Sequence, residues 1–172
     1  MEILRTFAIE HIVAIRTIHV LAAMLWAFTA ITPMRFYVRP TLLAADENPE
    51  DAELKRRKDW ALEQFDRVVI LEHVAFVVIL LTGPLLFLTG LVTLETRWFL
   101  VKMAIVMFVF IPIEIYDSWL SHVAAPAAVR RKNEDIKAYD LFRRRYVAFL
   151  AAVRPVIYIS VPTVLILALA RP

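Results

Sequence analysis

Apolar residues along this 172-residue chain gather into four runs of about membrane-spanning length, separated by charged segments. The runs cover residues 12–36, 68–92, 98–120 and 147–170. Because a helix needs about 20 apolar residues to cross the hydrocarbon core of a bilayer, each run predicts a transmembrane helix. The sequence therefore predicts an all-α fold, a four-helix transmembrane bundle that forms a single integral membrane domain over residues 1–172.

The two long charged segments lie between the first and second runs and between the third and fourth. Acidic and basic residues are mixed in residues 48–59 and 130–137, a pattern that favours short amphipathic surface helices with intrahelical ion pairs. Most Lys and Arg residues outside the runs lie in these two segments, and Arg97 alone lies in the short second loop. The positive-inside rule then predicts that both segments are cytoplasmic and both termini are outside. The pattern of a removable signal peptide is absent.

Composition agrees with a membrane protein and excludes several kinds of chemistry. Hydrophobic residues make up 60% of the chain and the mean hydropathy is +0.64, above the values of soluble domains. The absence of Cys excludes disulfides, thiolate ligands, iron–sulfur clusters and covalent haem attachment. The net charge of +3 follows from the basic loops, so we expect no nucleic-acid partner. The chain also lacks a Gly-rich phosphate loop, which argues against soluble nucleotide chemistry.

Ionisable residues interrupt the apolar runs, among them His19, His73, Lys102, Glu114 and Arg154. A Lys, Arg or Asp at the centre of a membrane helix costs about 2.5–3.5 kcal/mol on insertion scales. Such groups persist where they face a partner, a cavity or a cofactor. The runs therefore predict a polar site inside the membrane domain.

His19 and Lys102 lie at similar depths on the outer side, roughly 10 and 6 Å below the surface by the helical rise. His19 shares one helix face with small residues and an aromatic one, namely Ala22, Ala23, Trp26, Thr29, Ala30 and Pro33. The small residues permit either close helix approach or a slot for a planar ligand. His19 is accordingly a candidate ligand of haem iron, or else the donor of an interhelical hydrogen bond to Thr82 or Thr89. Lys102 would hold a haem propionate or extend to the interface.

A second polar group is expected near the cytoplasmic side. Its carboxylates and imidazole, Glu72, His73, Glu114 and Asp117, are the alternative candidates for a divalent metal site. The other interpretation is simple charge balance with Arg35 and Arg154. Di-iron chemistry is not indicated, because it requires Glu-x-x-His pairs on two helices. His73 is also an alternative haem ligand, although its depth argues against sharing one haem with His19.

Three motifs in order resemble the HemJ-type membrane protoporphyrinogen oxidases of bacteria. The first helix carries His19-Val-Leu-Ala-Ala-Met-Leu-Trp26 followed by Pro33 and Arg35. The third opens with Trp98-Phe-Leu-Val-Lys102, and the last carries Val161-Pro-Thr-Val-Leu165. The first motif is also similar, more loosely, to membrane proteins of the copper-resistance CopD class.

The resemblance implies a four-helix protein of the bacterial inner membrane that binds haem b. The cofactor-binding residues that it implies are His19 as iron ligand, with Trp26, Arg35 and Lys102. His73 is a further cofactor-binding candidate from its position in the second run, not from the resemblance. The resemblance also implies oxidation of a tetrapyrrole, with electrons passed to a membrane acceptor such as quinone. The chain departs from the family pattern at Pro40, at Ile113 or Glu114, and at Ser160, where the family carries His, His and Glu.

Three functions follow as hypotheses. The first is a haem-binding membrane redox protein, the second a metal-handling or transport protein, and the third a non-catalytic subunit of a larger membrane complex. Membrane lipid is an expected partner in all three, and self-association is left open. The residues do not indicate which group would be catalytic.

Overall fold

The structure is a computed structural model that describes the backbone of residues 1–170 and the side chains of residues 1–169. The regular elements in this range are helices: α1 (Glu2–Glu10), α2 (Ile12–Glu47), α3 (Ala52–Leu88), α4 (Arg97–Arg130) and α5 (Ile136–Ala170). The all-α prediction is confirmed for these residues. Four of the helices, α2 to α5, are long and apolar enough to cross a membrane. Residues 171 and 172 of the predicted domain lie outside the described residues.

The chain divides into two compact units, Met1–Val92 and the residues from Thr93 onward. In the first unit α2 and α3 form an antiparallel hairpin, since contacts such as Trp26–Phe76 and Asp46–Lys58 join ever earlier residues of α3 as α2 proceeds. We call this pair the first hairpin. Its interior consists mainly of apolar side chains, with Val38, Ala61 and Leu62 fully buried.

The second unit is built on the same plan, and we call α4 and α5 the second hairpin. The pairs Tyr116–Phe149 and Ser121–Tyr146 show that these two helices are also antiparallel. Each hairpin thus joins helices that are consecutive in the sequence. The predicted four-helix bundle, in which all four helices pack together as one domain, stays a prediction.

The predicted loop helices are wrong in their boundaries. Residues 52–59, predicted to belong to a separate surface helix, are the first turns of α3, and Asp51 caps them by accepting hydrogen bonds from the N–H groups of Glu53 and Leu54 at 2.8 and 3.1 Å. Residues 131–135 form a turn instead of a helix. Glu, Lys, Arg and Ala are strong helix formers, so the charged residues of the first loop prolong the helices that flank it. The predicted ion pairs do occur, between Glu53 and both Arg56 and Arg57.

The hairpins are consequently longer than the predicted spans. The four long helices have 34 to 37 residues, which corresponds to about 50–55 Å at the helical rise. A bilayer core is about 30 Å thick. Helices of this length that cross a membrane would carry both turns, residues 48–51 and 131–135, beyond the hydrocarbon core.

Three of the prolines within α2 and α4 follow wide π turns. Three such turns occur in these helices, each ending two residues before a proline: Met34–Val38 before Pro40, Val106–Phe110 before Pro112, and Leu120–Ala124 before Pro126. In every case the N–H of the residue before the proline bonds to the carbonyl five residues earlier. A proline removes one donor and clashes with the carbonyl four residues earlier, so the wider turn lets the helix continue past it.

The N-terminal helix α1 was not predicted. It contacts both α2 and α3, and Ala8 is fully buried. The sequence signal for it is the spacing of Ile3, Leu4, Phe7 and Ala8 on one helix face. The helix ends at Glu10, and the residue that follows, His11, makes an edge-to-face contact with Phe7.

Candidate functional site

His19 forms the interhelical hydrogen bond that the sequence allowed. Its Nδ1 lies 2.8 Å from Thr82 Oγ1 on α3. Thr82 Oγ1 in turn donates its own proton to the carbonyl of Val78 at 2.6 Å. Since that proton is already committed, Thr82 accepts from His19, and His19 carries its hydrogen on Nδ1. The lone pair of the imidazole is then on Nε2, which is the arrangement found in histidines that bind metals through Nε2.

The predicted face of α2 is confirmed as the face turned toward the hairpin interior. Ala22, Trp26 and Thr29 are buried, and Ala23, Ala30 and Pro33 are half-buried. The opposite side is exposed, with Leu21 and Phe28 about 60% accessible. The Trp26 ring lies 5.7 Å from that of Phe76 on α3, measured between centroids. The face therefore owes its burial, at least in part, to packing against α3.

Small residues beside His19 allow α2 and α3 to approach each other closely. A Cβ placed on Gly83 of α3 would lie 3.7 Å from His19 Cε1, which is an ordinary van der Waals distance. The imidazole thus lies directly against the backbone of α3. His19 as a whole is only half-buried. The first hairpin therefore holds one side of the ring without enclosing it.

One concave surface belongs to α1 instead. It is an open groove of about 450 Å³ lined by Glu2, Ile3, Thr6, Phe7 and Glu10. His19 is not part of its lining. That His19 lines an intramembrane cavity stays a prediction.

The other predicted cofactor residues are distributed over both units. Arg35 is exposed in the first π turn, with its guanidinium carbon 5.8 Å from the centroid of the Phe36 ring. His73 is half-buried on α3, and Lys102 is half-buried on α4. His19 and Lys102 thus belong to different units, and their predicted proximity stays a prediction.

The inner carboxylates are buried, as charged groups at functional or structural sites in membranes are. Glu72 of α3 and Glu114 and Asp117 of α4 are 5–7% accessible, and Glu114 and Asp117 share one face of α4. Within the described residues of either unit, no three His, Asp or Glu side chains are grouped to hold a metal ion. The predicted network of these residues with His73 and Arg154 spans both units and stays a prediction.

The interior of the second hairpin contains polar groups that the sequence reasoning missed. Ser121 and Tyr146 share a buried hydrogen bond of 3.1 Å, and the buried Arg143 donates to Tyr139 Oη at 3.1 Å. The Tyr139 ring also lies 4.5 Å from Lys132 Nζ. The available signal was the spacing of Tyr139, Arg143 and Tyr146, which places all three on one helix face.

Comparison of the chain with protein-family models, curated proteins and solved structures finds no match in any of the three.

Proposed function

We propose that this multi-pass membrane protein is a redox protein that holds haem b, with His19 as the iron ligand. The observation that carries the proposal is the hydrogen bond from His19 Nδ1 to Thr82. Ligating histidines commonly donate their second ring nitrogen to a neighbouring acceptor, which fixes the tautomer and orients the ring. A histidine with this partner, on a helix long and apolar enough to cross a membrane, has the donor chemistry that haem iron takes in proteins.

The residues present fit such a group in their chemistry. Imidazole is an established axial ligand, and the chain has no Cys that would compete for iron. Thr82 would keep the ring in one orientation, and the buried Trp26, about two turns along the same face, provides an apolar wall. Lys102 is the cation proposed to pair with a propionate group. Arg35 lies 16 residues after His19 on α2, about 24 Å away at the helical rise, which is too far to reach a haem bound at His19. Bound haem would supply one-electron transfer, and the chain would set its position and potential.

The finer proposal is oxidation of a porphyrinogen. In that reaction the tetrapyrrole would lose electrons and protons, and the electrons would reduce a membrane acceptor of the quinone class. It is supported by three motifs that resemble those of the HemJ-type membrane protoporphyrinogen oxidases, namely His19–Arg35, Trp98–Lys102 and Val161–Leu165. The different residues at Pro40, Ile113 and Ser160 count against an unchanged mechanism of that family.

A spectroscopic comparison of variants at three of the four histidines tests the haem proposal. The purified protein is incubated with haem b, freed of excess, and examined for a Soret band. Replacing His19 by Ala should abolish haem retention and leave the helical content unchanged. The matched controls are His11→Ala and His122→Ala, since both residues are exposed and both variants should retain haem.

A second variant separates ligation from packing. Thr82→Val keeps the side-chain shape but removes the acceptor of the His19 proton, so we expect about 10–100-fold weaker haem binding. An unchanged Soret band in His19→Ala would show that His19 is not the iron ligand and would make His73 the next candidate. A colourless wild-type protein with stoichiometric metal would favour the metal-handling hypothesis, and absence of both would favour an assembly subunit.

A further inference from the structure

The second hairpin carries an exposed group of aromatic rings on one flank. Tyr116 and Trp119 of α4 stack with their ring centroids 5.9 Å apart, and both are about half accessible. Tyr116 also meets Phe149 of α5 edge to face at 4.9 Å. The three rings therefore connect the two helices on one side of the hairpin. Exposed Trp and Tyr residues on membrane helices concentrate at the level of the lipid headgroups.

An arginine follows on the same flank. Arg145 lies four residues before Phe149 on α5, and residues four apart share a helix face. The hydrogen bond between Ser121 and Tyr146 sets the register of the two helices. Arg145 is therefore about one turn nearer the 131–135 turn than the rings are. Arg145 is exposed, as is its neighbour Arg144.

Arg145 lies along α5 at the point where a lipid headgroup would be expected, just outside the apolar part of the helix. The fourth apolar run begins at residue 147, and the third ends at residue 120, one residue after Trp119. The aromatic rings are thus at the end of the apolar part of the hairpin and the arginine is just outside it. Below the rings α5 presents exposed apolar side chains, including Val156 and Ile159.

The charge of this hairpin end differs from that of the first hairpin. Residues 130–145 contain seven basic and three acidic side chains, whereas residues 46–59 contain four basic and six acidic ones. In the first hairpin Arg56 and Arg57 are both paired with Glu53. Within the described residues, the ion pairs found do not include Arg144 or Arg145. Arg144 Nε donates to the carbonyl of Asp140 at 3.5 Å, so Arg145 has the guanidinium that is better placed to bind an anion from outside the chain.

We propose that Arg145, with Arg144 beside it, binds the phosphate of an anionic phospholipid whose acyl chains lie against the Tyr116–Trp119–Phe149 flank. A guanidinium forms two parallel hydrogen bonds with phosphate oxygens, and this bidentate contact is stronger than a neutral hydrogen bond. The aromatic rings would occupy the boundary between headgroup and acyl chain. The occupant is a lipid because one ligand must satisfy both the charged group and the apolar surface next to it.

Quenching of Trp119 by brominated lipids tests this proposal. The protein is reconstituted in vesicles that contain bromine-labelled phosphatidylglycerol or bromine-labelled phosphatidylcholine, and its tryptophan fluorescence is recorded. A parallel sample of Trp119→Phe identifies the part of the signal that comes from this site. We expect phosphatidylglycerol to be preferred at Trp119, and Arg145→Gln to reduce that preference about fivefold, the effect of one arginine at a membrane surface.

The matched control is Arg56→Gln, an exposed arginine of the first hairpin that already has a carboxylate partner. It should leave the preference at Trp119 unchanged. Equal quenching by the two lipids in the wild type would overturn the proposal, as would an unchanged preference in Arg145→Gln. Loss of the preference in Arg56→Gln would show a general charge effect instead of a site. Displacement of the lipid by millimolar inorganic phosphate would identify a phosphate ion site and contradict the lipid assignment.

Discussion

The two hairpins share one architecture but differ in what fills them. Each consists of two long antiparallel helices whose second member is capped by an aspartate, Asp51 in the first and Asp135 in the second. The first hairpin buries mostly Val, Ala, Leu and Phe with three polar residues, Thr29, Glu72 and Thr82. The second buries fewer apolar residues, together with Glu114, Asp117, Ser121, Arg143 and two tyrosines. Helices of similar length and hydropathy can therefore form hairpins with different interiors.

This difference separates two sources of stability. Apolar packing is tolerant of local rearrangement and depends on the volume of the side chains. Buried polar groups depend on having each partner in place, because an unsatisfied group costs about 1–3 kcal/mol. We therefore expect the first hairpin to respond most to changes of side-chain volume and the second to the loss of single hydroxyl groups.

The largest effect is expected from a cavity in the first hairpin. Leu62 is fully buried, so Leu62→Ala should lower the free energy of unfolding by about 2–5 kcal/mol. Thermal unfolding in detergent micelles, followed by circular dichroism, would measure this. Leu43→Ala is the control, since Leu43 is 48% accessible and its replacement should cost much less. Equal effects of the two variants would contradict the packing assigned to this hairpin.

The next effect concerns the buried hydroxyl pair of the second hairpin. Tyr146→Phe and Ser121→Ala should each lower the free energy of unfolding by about 1–3 kcal/mol, because the remaining partner loses its hydrogen bond. The double variant should be no worse than the more damaging single one. Tyr116→Phe is the control, because the Tyr116 contacts described involve its ring. Strictly additive effects would show that the two hydroxyls do not interact.

A smaller effect on the free energy of unfolding is expected from the hydrogen bond between His19 and Thr82. Thr82→Val should cost about 1 kcal/mol in the protein without haem, whereas Thr82→Ser should be nearly neutral. Thr163→Val is the control, since Thr163 only donates to Ile159 within its own helix. A loss in Thr82→Val that equals or exceeds the loss in Tyr146→Phe would remove the distinction drawn between the hairpins.

The smallest effect belongs to the exposed ion pair near the first turn. Asp46→Asn removes the 2.9 Å contact with Lys58, and exposed pairs of this kind contribute about 0.2–1 kcal/mol. The variant should unfold like the wild type at high salt, where the pair is screened. A salt-independent loss of stability would indicate that Asp46 acts through helix structure instead of charge.

The number and position of the long helices could be predicted because the apolar runs are continuous. The ends of those helices could not, since the residues around Glu53 are both charged and strongly helix-forming, and the pattern does not distinguish a prolonged helix from a separate one. The π turns were also missed. Proline predicts a break or kink in a helix, whereas here the helix widens and continues.

The candidate site could be predicted in part. The face of His19 follows from helical spacing, and Thr82 was one of two partners expected at the same depth. The tautomer could not be predicted, because it depends on where the Thr82 proton goes. The buried hydroxyl and arginine contacts of the second hairpin depend on the register between two helices, which side-chain periodicity within one helix does not contain.

The wide turns have a consequence for insertions and deletions. Removing one residue from an α-helix rotates everything after it by about 100°, which would turn a buried face to the outside. A π turn holds one residue more than an α turn, so losing one residue there, together with the proline that follows, would leave the flanking faces aligned. We expect single-residue gaps among relatives of this chain to fall at Met34–Val38, Val106–Phe110 and Leu120–Ala124, and to coincide with loss of the adjoining proline.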